Sequence, residues 1–167
     1  MAQTLTPTIK AQITGTHRNE ADQQEATANL AKTIEQAFTS GTEAGKVDLL
    51  HSETVTLTTG ANTTFDLTAL VDEVFGSALT FVKVRAILIY SNLAANKQLT
   101  IGGDAAAFCS FLGGATETIK LDPLGLVLLT NPNTGYAVVA GTGDILKVTN
   151  AATGSSTFDI WIFGTSA

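Results

Sequence analysis

Residues able to do chemistry are few and scattered along this chain. Its two histidines, His17 and His51, lie in zones of different composition. A metal site at the mouth of a β-barrel needs several histidines and a carboxylate on neighbouring strands, because one opening must present all the ligands together. Two distant histidines do not supply that set, and the chain has no Gly-x-Ser-x-Gly turn for a serine nucleophile. We therefore predict no catalytic residue, no metal site and no cofactor, and we expect a protein that is not an enzyme.

Acidic residues and glycines between the apolar runs give two further candidates. Five aspartates offer oxygen atoms to a calcium ion, but none stands in an alternating Asp-x-Asp pattern, so we interpret them as turn and cap residues. They are Asp66, Asp72, Asp104, Asp122 and Asp144. Residues 141–144, Gly-Thr-Gly-Asp, look like the start of a phosphate loop, but they lack the later Gly and Lys and precede a strand. This segment therefore predicts a hairpin turn.

Isolated reactive and aromatic side chains complete the list of candidates. The single cysteine, Cys109, stands in a small apolar stretch without a flanking cation, so we expect a buried hydrophobic residue instead of a reactive thiol. Tyr90, Tyr136 and Trp161 could stack against a sugar ring, but three aromatic residues do not define a site.

The composition indicates a domain whose surface is partly buried against other protein chains. The 167 residues are most simply one domain, and only 14% of them are charged, against roughly 25% in typical soluble domains. A monomer so poor in charge would expose much uncharged surface. We therefore expect an oligomer or a subunit that docks on a larger assembly.

Charge and hydropathy exclude two classes of partner. The formal net charge is −6 and the basic residues occur singly, whereas binding to a phosphate backbone needs clustered Lys and Arg. No apolar run approaches the roughly 18 residues of a membrane span, and the N-terminus lacks the apolar core of a secretory signal. We predict no nucleic acid partner, no membrane partner and synthesis in the cytoplasm.

The first forty residues differ from the rest and are predicted to form an N-terminal arm. Residues 8–14 fit a strand with Ile9, Ala11 and Ile13 on one face. In residues 19–40, an apolar spacing of four predicts a helix that ends at Gly41. The spacing is carried by Leu30, Ile34 and Phe38. Because the same spacing is even, a strand that places these three side chains on one face remains an alternative.

Residues 41–167 are predicted to form an all-β jelly-roll β-sandwich. Short alternating apolar runs are separated by turns rich in Gly, Asn and Thr, which suits eight or nine strands. One segment departs from this period. Residues 66–76 place apolar side chains at helical spacing, with Asp66 or Thr68 as a cap and Gly76 as a stop, and predict one short helix.

Two strands carry apolar residues on both faces. In residues 79–91, one face should be core and the other turns from charged to apolar, so that Ile87 and Ile89 point outward. The predicted core face holds Val82, Val84, Ala86, Leu88 and Tyr90, and the other holds Phe81, Lys83, Arg85, Ile87 and Ile89.

The last strand also has apolar residues on both faces. Phe158, Ile160 and Ile162 are predicted to point inward, which leaves Trp161 and Phe163 pointing outward. Candidate subunit contacts are Ile87, Ile89, Trp161 and Phe163, and the alternative for Trp161 is packing under the N-terminal zone.

The ordered series of segments in residues 41–167 resembles small structural proteins of tailed bacteriophages. It includes residues 54–60 (Thr-Val-Thr-Leu-Thr-Thr-Gly), residues 81–85 (Phe-Val-Lys-Val-Arg), residues 141–146 (Gly-Thr-Gly-Asp-Ile-Leu) and the closing residues 162–167 (Ile-Phe-Gly-Thr-Ser-Ala). The resemblance implies a virion component, a capsid cement or decoration protein that sits on the capsid surface as a homotrimer and contacts the major capsid protein. The alternative is a tail, baseplate or head-fibre module that binds carbohydrate on the host surface.

Overall fold

The computed structural model of the protein describes residues 4–21, 24–108, 111–151 and 153–167. Cys109, for which the sequence predicts burial, lies outside these residues. The described residues form strands and turns and contain no helix. The strands are β1 (Thr8–Ala21), β2 (Gln24–Ala37), β3 (Thr39–Ser40), β4 (Lys46–Val47), β5 (Leu49–Leu57), β6 (Asn62–Asp66), β7 (Leu70–Val71), β8 (Ala78–Leu79), β9 (Lys83–Ser91), β10 (Leu99–Gly102), β11 (Thr118–Leu121), β12 (Leu126–Thr130), β13 (Tyr136–Ala137), β14 (Ile145–Thr149) and β15 (Ser156–Thr165).

Two sheets form the body of the protein. One has the order β12-β9-β15-β5, with β13 also paired to β9, and the other has the order β11-β10-β14-β6. Neighbouring strands within both sheets are antiparallel. Buried apolar side chains from both sheets belong to one continuous core. The prediction of an all-β protein is confirmed.

The last strand, β15, supplies the centre of that core. Its burial alternates, and Phe158, Ile160 and Ile162 are completely buried. The Phe158 ring meets the ring of Phe65 on the opposite sheet edge-to-face, with the centroids 6.4 Å apart. The period of two in this strand therefore predicted its inward face correctly.

The short helix predicted for residues 66–76 is wrong. The chain instead ends β6 at Asp66 and pairs β7 with β8 on either side of a turn. The Asp66 carboxylate accepts a hydrogen bond from the Thr68 N–H (2.9 Å), and the Asp72 carboxylate accepts them from the N–H groups of Val74 (2.8 Å) and Phe75 (3.0 Å). The side chains expected to cap a helix thus stabilise turns, because Asp bonds equally well to nearby backbone in a turn.

The helix predicted for residues 19–40 is also wrong, and the strand alternative is correct. β1 and β2 form a long antiparallel hairpin in which Thr8 pairs with Ala37 and Ala21 pairs with Gln24. Fourteen positions pair in one continuous ladder, and this long-range pairing overrides the helical propensity of the Ala, Gln and Glu residues. The arm boundary at residue 40 stays a prediction; the hairpin ends at Ala37, and β3 pairs in parallel with β4.

A register shift between Phe163 and Gly164 lets β15 bend where it leaves the sheet centre. At Gly164 the backbone approaches its neighbour so closely that a Cβ atom would overlap the carbonyl oxygen of Lys83 and the ring of Phe81. Phe81 is almost fully buried and cannot move aside without disturbing the core. Only glycine fits this position.

We expect Gly164→Ala to lower the free energy of unfolding by about 1–3 kcal/mol, because the added methyl group overpacks a filled site. Gly143→Ala is the matched control, since a Cβ atom there would meet Val139 at an ordinary 3.6 Å. Urea unfolding followed by tryptophan fluorescence measures both variants. Equal stabilities of the two variants would show that the close approach at Gly164 is relieved at no cost.

Candidate interaction surface

The outer face of the five-stranded sheet, opposite the core, is the first candidate surface. The strand register places Leu128, Leu88 and Trp161 side by side across β12, β9 and β15. Phe163 follows Trp161 on the same face, and Leu126 follows Leu128. All five side chains line one groove. The predicted outward direction of Trp161 and Phe163 is therefore correct.

The beginning of the chain crosses this outer face. Thr4 and Leu5 line a cavity together with β5 residues such as Leu50, whereas residues 8–12 line the groove that contains Trp161. That groove has a volume of about 430 Å³. Trp161 and Phe163 thus lie half-buried under the N-terminal zone, which is the alternative given for Trp161. Their role in subunit contacts stays a prediction.

Ile87 and Ile89 do not lie on the outer face, so the predicted faces of their strand are wrong at these positions, whereas Val84 is a core residue as predicted. Both isoleucines are only 1% exposed and belong to the core, paired across the ladder with Ile162 and Ile160. Leu88, predicted as core, lies on the outer face instead. The prediction failed because it assumed that Lys83 and Arg85 mark the solvent side of the strand.

Arg85 is a buried cation that joins two loops. It is only 2% exposed, and its guanidinium donates hydrogen bonds to the carbonyl oxygens of Asn133, Glu43 (3.3 Å) and Thr42 (3.4 Å). Glu43, in the loop that also contains Thr42, forms an ion pair with Lys46 (3.0 Å). This pair lowers the pKa of Glu43, chiefly through the hydrogen bond from Lys46. No sequence signal identifies such acceptors, since they are backbone carbonyls far away along the chain.

The hairpin of β1 and β2 carries the second candidate surface. Paired residues point to the same side of a ladder, so Ile13, Leu30 and Ile34 share one face with Ile9 and Ala11. Ile13, Leu30 and Ile34 are 71%, 60% and 62% exposed, respectively. The opposite face is polar and contains an ion pair between Lys10 and Glu35 (3.5 Å). We refer to Ile13, Leu30 and Ile34 as the outer apolar stripe of the hairpin.

The structure does not bring the two histidines together. His17 lies on β1, and His51 is buried on β5, where its Nδ1–H donates to the carbonyl of Val71 (3.1 Å) and its Nε2 lies 3.6 Å from a Glu53 carboxylate oxygen. Within residues 4–21, 24–108, 111–151 and 153–167, no three His, Cys, Asp or Glu side chains group in a way that could hold a metal ion.

Loop aspartates act as turn and cap residues, as predicted. Besides Asp66 and Asp72, Asp104 accepts a hydrogen bond from the Ala106 N–H (3.1 Å) and Asp144 accepts one from the Gly141 N–H (2.6 Å). The Gly143 N–H in turn donates to the Val139 carbonyl (2.8 Å). The segment that looked like a phosphate loop is therefore a tight turn.

Comparisons with known proteins identify no relative. No family model, no curated protein and no solved structure matches the chain. In the described part of the chain, no helix is long and apolar enough to cross a membrane. The resemblance to phage structural proteins thus stays a hypothesis that depends on the residues quoted for it.

We expect Ile89→Ala to lower the free energy of unfolding by about 2–5 kcal/mol, as is typical of truncations that leave a cavity in a core. Leu93→Ala, at a position that is 50% exposed, should change it by no more than about 0.5 kcal/mol. Urea unfolding at two protein concentrations measures both. A loss at Ile89 that disappears on dilution would restore this residue to a subunit interface.

Proposed function

We propose that the protein is a virion structural protein of a tailed bacteriophage, a capsid cement or decoration protein that stabilises the head as a homotrimer on the capsid lattice. Its partners are further copies of itself and the major capsid protein. The observation that carries this proposal is a charge-poor sandwich from which a long hairpin extends with an exposed apolar stripe. A two-stranded hairpin and an exposed apolar stripe both gain stability when they are buried against another protein.

The order of the strands supports a jelly roll, the fold that the resemblance implies. Eight main strands, β5, β6, β9, β10, β11, β12, β14 and β15, alternate between the two sheets along the chain. Only the step from β10 to β11 stays within one sheet. Interleaving of two four-stranded sheets is characteristic of a double Greek key, which is how jelly rolls are connected.

A mechanical role fits the way in which the surfaces are built. A cement protein acts by adding buried area across junctions of the shell, at about 25 cal/mol per Å² before the entropic cost of association. The outer sheet face and the hairpin offer apolar area at two separate places on one chain. A subunit with two such places can contact two neighbours at once.

Purified particles test the proposal directly. We expect the protein on the head in many copies arranged with the lattice symmetry, and we expect heads without it to break at lower temperature or lower salt. Quantitative mass spectrometry and a particle map measure copy number and position. A few copies confined to the tail would overturn the cement role and favour the tail, baseplate or head-fibre module.

Trp161→Ser should reduce the occupancy of heads by at least about tenfold while the domain remains folded, because an aromatic side chain is lost from a contact surface. The contrast is Phe158→Ser on the buried side of the same strand, which should unfold the domain. Particle binding and near-ultraviolet circular dichroism are the two measurements. If Trp161→Ser unfolds the domain as well, Trp161 belongs to the core packing, and its role as a subunit contact is overturned.

A further inference from the structure

The apolar face of the hairpin is partly covered at Ile9 and Ala11 and exposed at Ile13, Leu30 and Ile34. Near the base, Ile9 and Ala11 are half-buried where the chain crosses the outer sheet face. The same face continues into the outer apolar stripe, which the chain's own sheet leaves exposed. One continuous surface therefore begins as an internal contact and ends without a partner in its own chain.

A hairpin of this length needs such a partner. Strands of 14 residues span about 46 Å, at roughly 3.3 Å per residue, and two-stranded hairpins on their own are at best marginally stable in water. Burial of Ile13, Leu30 and Ile34 against another surface would supply the missing stabilisation. The outer apolar stripe would therefore be stabilised by contact with a second molecule.

Charge favours the sandwich of another copy as that molecule. Residues 41–167 contain six Lys and Arg against eleven Asp and Glu, a formal charge of −5. On the face of the stripe, within residues 8–18 and 27–37, the one formal charge is the cation of Lys32, since Lys10, Arg18 and Glu35 lie on the opposite face. Lys32 points to the same side as Leu30 and Ile34, so two hairpins packed face to face would bring like charges together.

The outer sheet face has a matching row of side chains. The register places Leu126, Tyr90 and Asp159 side by side, next to the row that the chain's own β1 covers. Leu126 is 56% exposed, and Tyr90 and Asp159 are half-buried. Asp159 is held in place by hydrogen bonds from Thr54 (2.6 Å) and Asn92 (2.9 Å). The row thus offers an apolar pair, Leu126 and Tyr90, next to a carboxylate, and the stripe offers Leu30 next to the cation of Lys32.

We propose that the apolar stripe of the hairpin docks on the outer sheet face of a second copy of this chain. Leu30 packs against Leu126 and Tyr90 of that copy, Lys32 faces its Asp159, and Ile34 lies beyond Asp159 on the same face. The contact joins two different surfaces, so two copies can satisfy it by exchanging hairpins, and three or more form a ring when the rotation between neighbours closes. The inference rests on the proposed function for the premise that copies assemble with one another.

Sedimentation of the full chain at micromolar concentration is the first test. Leu30→Ser combined with Ile34→Ser should raise the dissociation constant of the oligomer at least about tenfold, because it removes two apolar contacts. Ala31→Ser combined with Thr33→Ser, on the opposite face of the same strand, should leave it unchanged. Equal effects of the two pairs, or a wild-type monomer, would overturn the proposal. Thermal unfolding of each variant checks that the sandwich is intact.

Site-specific cross-linking identifies the partner without relying on a destabilising change. A benzophenone amino acid in place of Leu30, in a mixture of isotopically light and heavy protein, should cross-link to residues 125–130 or 156–165 of another copy. The same probe in place of Ala31 should give few cross-links. Cross-links to the hairpin of another copy, or only within one chain, would contradict the docking site.

Binding to particles separates this inference from the proposed function. Copies that form the hairpin contact in solution but are absent from phage heads would overturn the function and leave the inference intact. A protein that decorates heads as a solution monomer, with cross-links from position 30 only to the shell, would overturn the inference and leave the function.

Discussion

The fold depends on the insertion of β15 between β5 and β9. This strand forms hydrogen bonds along both edges, buries Phe158, Ile160 and Ile162 on one side and carries Trp161 and Phe163 on the other. The inward side joins the two sheets into one core, and the outward side provides the floor on which the N-terminal zone lies. Both the core and the outer surface contain side chains of this ten-residue strand.

The spacing of apolar residues predicted the faces of those strands in which side-chain alternation alone decides the orientation. The alternation in β15 was readable because burial determines it, and the shared face of Ile9, Ala11 and Ile13 in β1 follows from the period of two. The outward faces predicted for Ile87 and Ile89 were wrong because the guanidinium of Arg85 is buried and donates hydrogen bonds to carbonyls of two distant loops, so Arg85 does not mark a solvent face. The helical spacing in residues 66–76 misled for a related reason: Asp66 and Asp72 stabilise turns as readily as helix ends.

The candidate surfaces were predictable only in part. The sequence indicated surplus apolar side chains on two strands, and it assigned Trp161 and Phe163 to the correct face. It did not indicate the length of the hairpin, because Leu30 and Ile34 suit a helix and a strand equally well until β1 is known to pair with β2. Long-range pairing decides between the two, and pairing is a property of the whole chain. The exposed stripe is therefore a consequence of tertiary structure.

Arg85 has a further consequence for the two loops that it joins. Its guanidinium donates to carbonyls of two loops that are far apart along the chain, so the loops share one buried group. A change in the backbone of either loop would take an acceptor away from this cation, and a buried donor that loses its acceptor is costly. The two loops are therefore expected to become ordered together and to lose their order together.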